Sequence, residues 1–230
     1  MSEGVYMDTI ISLPISLGEA IDKLTILHIK CDKITDHRKI DVQKEYDILY
    51  EKLKIFIVKF DELYCSMKNI NLIIWHQMDV LRDGTTSDED YMKLCKECIE
   101  SNDIRFRIKN KINLISNSTL KEQKSYKVNR LVIHLNCDEE YFHLFIKPIK
   151  YFSYIYDEII IQSSKNIDKI RNNFDYDNTI KYNVEIIGLD IKQVFNFQNN
   201  CYTINEIYKI INCNEDTIKL FYTLGNCSIS

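Results

Sequence analysis

Cys95 and Cys98, three residues apart, are the pattern in this chain closest to a metal site. Zinc takes about four ligands, and no second Cys or His pair stands at ligand spacing, so the two read as helix packing and no metal is expected. Asp88 with Asp90, and Asp175 with Asp177, have the carboxylate spacing that can hold a divalent cation and a sugar diphosphate. The first pair opens a predicted helix, where acids suit the dipole, and the second follows a predicted helix and reads as a solvated turn. Arg105, Arg107, Lys109 and Lys111 alternate, so a helix divides them into a 105/109 and a 107/111 pair. They do not make one phosphate-binding face, and a solvated or ion-paired surface is the expectation. Asn102 and Arg105 interrupt an apolar stripe, where polar groups either fix register or mark a ligand site. Asp138, with Asn136 beside it, follows a predicted strand, which suits either a helix cap or a catalytic base at the carboxyl edge of an open sheet. The five His residues form no constellation, and spacing alone assembles no triad.

The elements that would position these groups fall into two halves. Ser16 and Glu19 form a capping box, so a helix begins near Leu17 with a stripe at Ala20, Leu24, Leu27, Cys31 and Ile34. A second stripe at Val42, Tyr46, Leu49, Leu53, Phe56, Phe60, Leu63, Met67, Ile70 and Ile74 keeps a 4,3 alternation. It predicts one nearly continuous helix over 42–81, roughly 60 Å long, which must lie along partner helices. Residues 83–87 carry turn and cap types, and a third helix runs to about Ser116. From Val128 the period changes. Residues 130–135, 158–162 and 183–188 read as strands, 166–174 as a helix, and 204–211 and 215–222 as two more helices. The expected fold is α+β: a long antiparallel helical coiled coil over 12–127, then a small α/β Rossmann-like domain over 128–230 with a parallel sheet.

The run from Pro14 to Leu27 with Ile29-Lys30, together with Asn102-Asp103, Arg105, Lys109, Ile112-Asn113, Glu122 and Lys124-Ser125-Tyr126, resembles a family of uncharacterised coiled-coil proteins of bacteria and large DNA viruses. In bacteria such sequences accompany surface-polysaccharide genes, so the resemblance implies a link to glycan synthesis but supplies no catalytic residue. Residues 156–161 and 220–225 resemble a reduced glycosyltransferase domain of the heptosyltransferase type. That resemblance implies a sugar nucleotide as ligand and is matched at its turn by Asp138, the catalytic candidate; the residues themselves offer Asn102, Arg105, Asn136 and Asp138 as binding candidates. The usual Gly-Asp turn is replaced by Asn136-Cys137-Asp138, and no length remains for a second, donor-binding domain.

Composition narrows the function classes. The formal charge of −4 offers no general attraction for nucleic acid or anionic lipid. No apolar run is long enough for a membrane span and no signal segment stands at the start, so a cytoplasmic location, host cytoplasm for a viral chain, is expected. The eight cysteines are expected to be reduced and mostly buried. No cofactor is expected. The favoured reading is a non-catalytic scaffold linked to glycan synthesis whose coil pairs with a second copy or a partner protein. The alternative is a subunit of a glycosyltransferase with a nucleotide-sugar donor.

Overall fold

Ser16 starts the first helix as its type predicts: it is extended, and its side chain accepts from the Glu19 N–H at 3.2 Å. Four helices follow in a computed structural model that describes residues 12–125, 130–134, 143–162, 166, 168–174, 180–183, 195–197 and 200–202. They are α1 (Leu17–Lys33), α2 (Arg38–Lys59), α3 (Asp61–Asp83) and α4 (Asp88–Ile115). Gly84 ends α3 with φ 70°, a left-handed cap that a side chain disfavours. Ser87 caps α4 by accepting from the Asp90 N–H, and Asp88, Glu89 and Asp90 fill its first turn, so this acidic run serves the helix start.

The core stands on α1, which packs against α2, α3 and α4. Ile21, Leu24, Met67, Ile70, Ile108 and Ile112 are fully enclosed there. The single helix expected over 42–81 is two helices, because the chain bends at Phe60 (φ −125°, ψ 40°). Hydrogen bonds continue across the bend, from Phe60 N–H to Phe56 O and from Tyr64 N–H to Phe60 O, each 2.9 Å. The apolar stripe continues through the bend, but its two halves serve different neighbours: α2 lies mainly on α1, whereas α3 packs on α4 and α1.

The expected α+β class with a Rossmann-like parallel-sheet domain is not what the structure shows. Most described residues are helical, and the strands beyond residue 129 are short: β1 (Arg130–His134), β2 (Glu158–Gln162), β3 (Ile180–Asn183), β4 (Phe195–Phe197) and β5 (Asn200–Tyr202). β1, β2 and β3 align parallel in that order, while β4 and β5 form a separate antiparallel pair. A Rossmann sheet reverses its strand order and binds ligand at the reversal. Among the described residues no further parallel strand pairs with β1, and they form no such crevice.

The connections also differ from expectation. α5 (His143–Ile155) runs unbroken through Pro148, but the helix expected over 166–174 contracts to the one turn of α6 (Asp168–Arg171). Asn166 Oδ1 caps it at the Asp168 N–H, and Asn172-Asn173, poor helix formers, close it in tight turns. β3 at Ile180–Asn183 overlaps the strand expected at 183–188 in Asn183, and residues 184–188 lie outside the described residues. The helices expected at 204–211 and 215–222 lie outside the described residues. Among those residues, no helix is long and apolar enough to cross a membrane.

Candidate functional site

α1 is buried on more than one side, and its sequence carries two interleaved stripes. The apolar one was read above; the second, Gly18, Asp22, Thr25 and Ile29, has the same 4,3,4 spacing, and all four residues are buried. Gly18 allows α4 to come close. Its N–H donates to Asn113 Oδ1 at 2.8 Å, and a Cβ there would overlap the Lys109 carbonyl oxygen. One turn on, Asp22 is 1% exposed and aims its carboxylate between α3 and α4.

That carboxylate is fully engaged. Arg105 donates to it from Nε at 3.0 and 3.1 Å and from Nη2 at 2.7 Å. Asn71 of α3 donates to Oδ1 at 2.8 Å and also to Thr25 Oγ1 at 2.9 Å. Thr25 in turn donates to the Asp22 carbonyl at 2.8 Å. Lys109, one turn beyond Arg105, meets Glu19 at 2.9 Å and Glu122 at 2.5 Å, with Asp22 at 3.9 Å. Burial works against the charge of Arg105 and Lys109. The acids outweigh it and raise both pKa values, chiefly through the hydrogen bonds that Arg105 donates to Asp22 and Lys109 donates to Glu122 and Glu19.

The site therefore joins residues more than 80 positions apart, Asp22 to Arg105 and Glu19 to Lys109. A cavity of about 220 Å³ opens beside it, lined by Asn102, Arg105, Phe106, Lys109, Glu122 and Lys124. Asn102 donates to the Cys98 carbonyl at 2.9 Å and accepts from Arg105 Nη1 at 3.4 Å. Glu19, Asp22 and Glu122 offset Arg105 and Lys109, and with Lys124 on the cavity wall acids and cations balance at three each. Because Arg105 and Lys109 already hold carboxylates, the arrangement suits a clasp between helices better than a pocket for an anion.

The structure brings Asn102 and Arg105 together, as two residues three apart on a helix must be. Asn136, Asp138 and the Asp175/Asp177 pair lie outside the described residues. The 105/109 and 107/111 division holds and the basic groups are ion-paired, Arg105 to Asp22 and Lys109 to Glu19 and Glu122, but they do not form a solvated surface: Lys109 and Lys111 are buried. Arg107 reaches Asp157 at 3.5 Å. Cys98 is buried with its thiol 3.8 Å from Met78 Sδ, Cys31 is also buried, Cys95 is half-buried and Cys65 is exposed. Asp22, Glu19, Lys109, Asn71 and Glu122 were missed as site members, although the 18/22/25/29 stripe was there to be read.

A second feature lies on α2. Leu53 is its one buried residue, and Ile40, Ile55 and Val58 are 73%, 71% and 81% exposed, with Ile48 and Phe56 also exposed. At 100° per residue, Ile40, Lys44, Ile48, Glu51, Ile55 and Val58 fall within about a quarter-turn of the helix surface, which makes one stripe.

A sequence profile described as "Family of unknown function (DUF6165)" matches residues 11–137. No curated protein and no solved structure matches the chain.

Proposed function

We propose that this chain, which belongs to the family of unknown function DUF6165, is a helical scaffold without catalysis of its own. The clasp fixes the register of α1, α3 and α4, and α2 is held on that support as a docking helix. The observation that carries this reading is α2 itself: a 22-residue helix with a single buried side chain and a stripe of exposed apolar ones. Scattered apolar residues on a surface are ordinary, but a helix-long stripe marks a place for a partner.

The ion pairs of the clasp support the absence of catalysis. Arg105 and Lys109 are satisfied by carboxylates from α1 and from the segment after α4, so neither is poised to stabilise developing charge on a substrate. The link to glycan synthesis belongs to this proposal as the setting in which the scaffold works.

A photo-crosslinking residue placed at position 55, compared with one at the exposed position 89, tests the reading in cells. Protein adducts concentrated at 55 are expected, and equal yields at both positions would remove α2 as the docking face. The purified chain should release no nucleoside diphosphate from sugar nucleotides with divalent metal present. Release well above background that disappears in Asp138→Ala would overturn the non-catalytic reading.

A further inference from the structure

We infer that the occupant of the α2 stripe is a second copy of this chain, paired antiparallel about a twofold axis near residues 47 and 48. The inference rests on the reading of α2 as a docking face and names its partner. Along the stripe, charge and apolarity are self-complementary in one direction only. With the axis near 47–48, Lys44 stands opposite Glu51 of the second copy and Ile40 opposite Ile55 of the second copy. Ile48 meets its own counterpart across the axis, and Val58 extends the apolar contact at each end.

The parallel arrangement is excluded by the same residues. In register, it would set Lys44 against Lys44 and Glu51 against Glu51, placing like charges in the seam. Antiparallel pairing turns both repulsions into ion pairs, and the stripe from Ile40 to Val58 spans about 27 Å of helix. Lys44 and Glu51 are free to take part. Lys44 has no ion-pair partner among the described residues, and Glu51 holds only Lys54 at 2.6 Å in an exposed i,i+3 pair, a type of contact easily exchanged. The contact is isologous, so it closes at two copies and builds no filament.

Sedimentation velocity of the full chain should show a mass that rises with concentration from 27.4 kDa towards twice that value. Lys44→Glu and Glu51→Lys, each of which places like charges opposite one another, should each weaken association by about tenfold or more. The double variant Lys44→Glu/Glu51→Lys should restore it, because the swap exchanges the charges but keeps the pairs. Both positions are exposed, so at concentrations low enough to keep the natural chain monomeric the melting curves of all three variants should match its own. A monomer at every concentration up to about 100 µM, or a double variant no better than the singles, overturns the proposal. If crosslinks at position 55 then go to other polypeptides, the docking face stands and only its occupant is wrong. If they vanish as well, both readings fall.

Discussion

Arg105→Ala should destabilise the chain far more than Asp22→Ala, although the two side chains share one ion pair. The asymmetry comes from burial: the Asp22 side chain is 2% exposed and that of Arg105 is 27% exposed. Without Arg105, the Asp22 carboxylate loses three hydrogen-bond contacts and stays in the core, held only by Asn71 and by Lys109 at 3.9 Å. Leaving a buried charge without its partner costs about 3–5 kcal/mol, and the remaining two groups place this case near 3. At roughly 2–4 °C per kcal/mol for a chain this long, Tm should fall by roughly 6–12 °C. Without Asp22, by contrast, the guanidinium can turn towards water through the cavity beside it, and Asn71 still donates to Thr25. That loss should be about 1–2 kcal/mol. Urea unfolding followed by circular dichroism measures both variants, and the double variant gives the coupling, expected at roughly 2 kcal/mol. An Arg105→Ala loss below about 1 kcal/mol, or one no larger than that of Asp22→Ala, would refute the reasoning that the carboxylate is sealed in the core.

Gly18→Ala should cost about 1–3 kcal/mol, because the added methyl meets the Lys109 carbonyl and Asn113 Oδ1; a Tm within a degree of the natural chain's would show that α1 and α4 separate easily. Met67→Asp places an unpaired charge in the fully enclosed core and should abolish cooperative unfolding at 25 °C, as read by the loss of a sigmoidal urea transition. Stability should fall as pH drops through and below about 6.5, because burial, helped by Lys68, lowers the His28 pKa and the unfolded chain then binds the proton that the folded one resists. His28→Gln should flatten that part of the stability–pH curve, and an unchanged slope would assign it to other groups.

What the sequence disclosed depended on how many neighbours each helix has. The stripe at Ala20, Leu24, Leu27 and Cys31 was plain, since apolar residues at 4,3 spacing have one reading. The polar stripe of Gly18, Asp22, Thr25 and Ile29 was hidden, because a small residue, an acid and a hydroxyl look like a solvated face until a second packing partner is supplied. Arg105 was visible as an intruder in an apolar stripe, but its partner lay 83 residues away, a distance that no periodicity spans. The bend at Phe60 was illegible for the opposite reason. The stripe is unbroken there, and nothing in it tells that α3 takes α4 as a neighbour beside α1 whereas α2 lies mainly on α1. Beyond residue 128, short apolar runs fitted strands of a regular sheet, and the Rossmann-like expectation added a full parallel domain and full-length helices that those runs do not specify.

The clasp and the docking helix make each other intelligible. A scaffold that displays a helix must keep its support from shifting when a partner pulls on that helix, and apolar helix packing alone permits slippage by a turn at modest cost, since residues four apart offer similar surfaces. A buried carboxylate with three fixed donors does not slip, because a shift of one turn would leave Asp22 without Arg105 and Gly18 replaced by a side chain against Lys109. Register is thus set on the α3/α4 side of α1, where Asp22 and Gly18 face, and α2 lies on another side of the same helix. Fixing α1 from one flank therefore fixes the platform under α2, whose own contact with α1 carries an exposed ion pair, Lys23 to Glu45 at 2.7 Å, rather than a buried one, and the outer stripe of α2 stays free to pair.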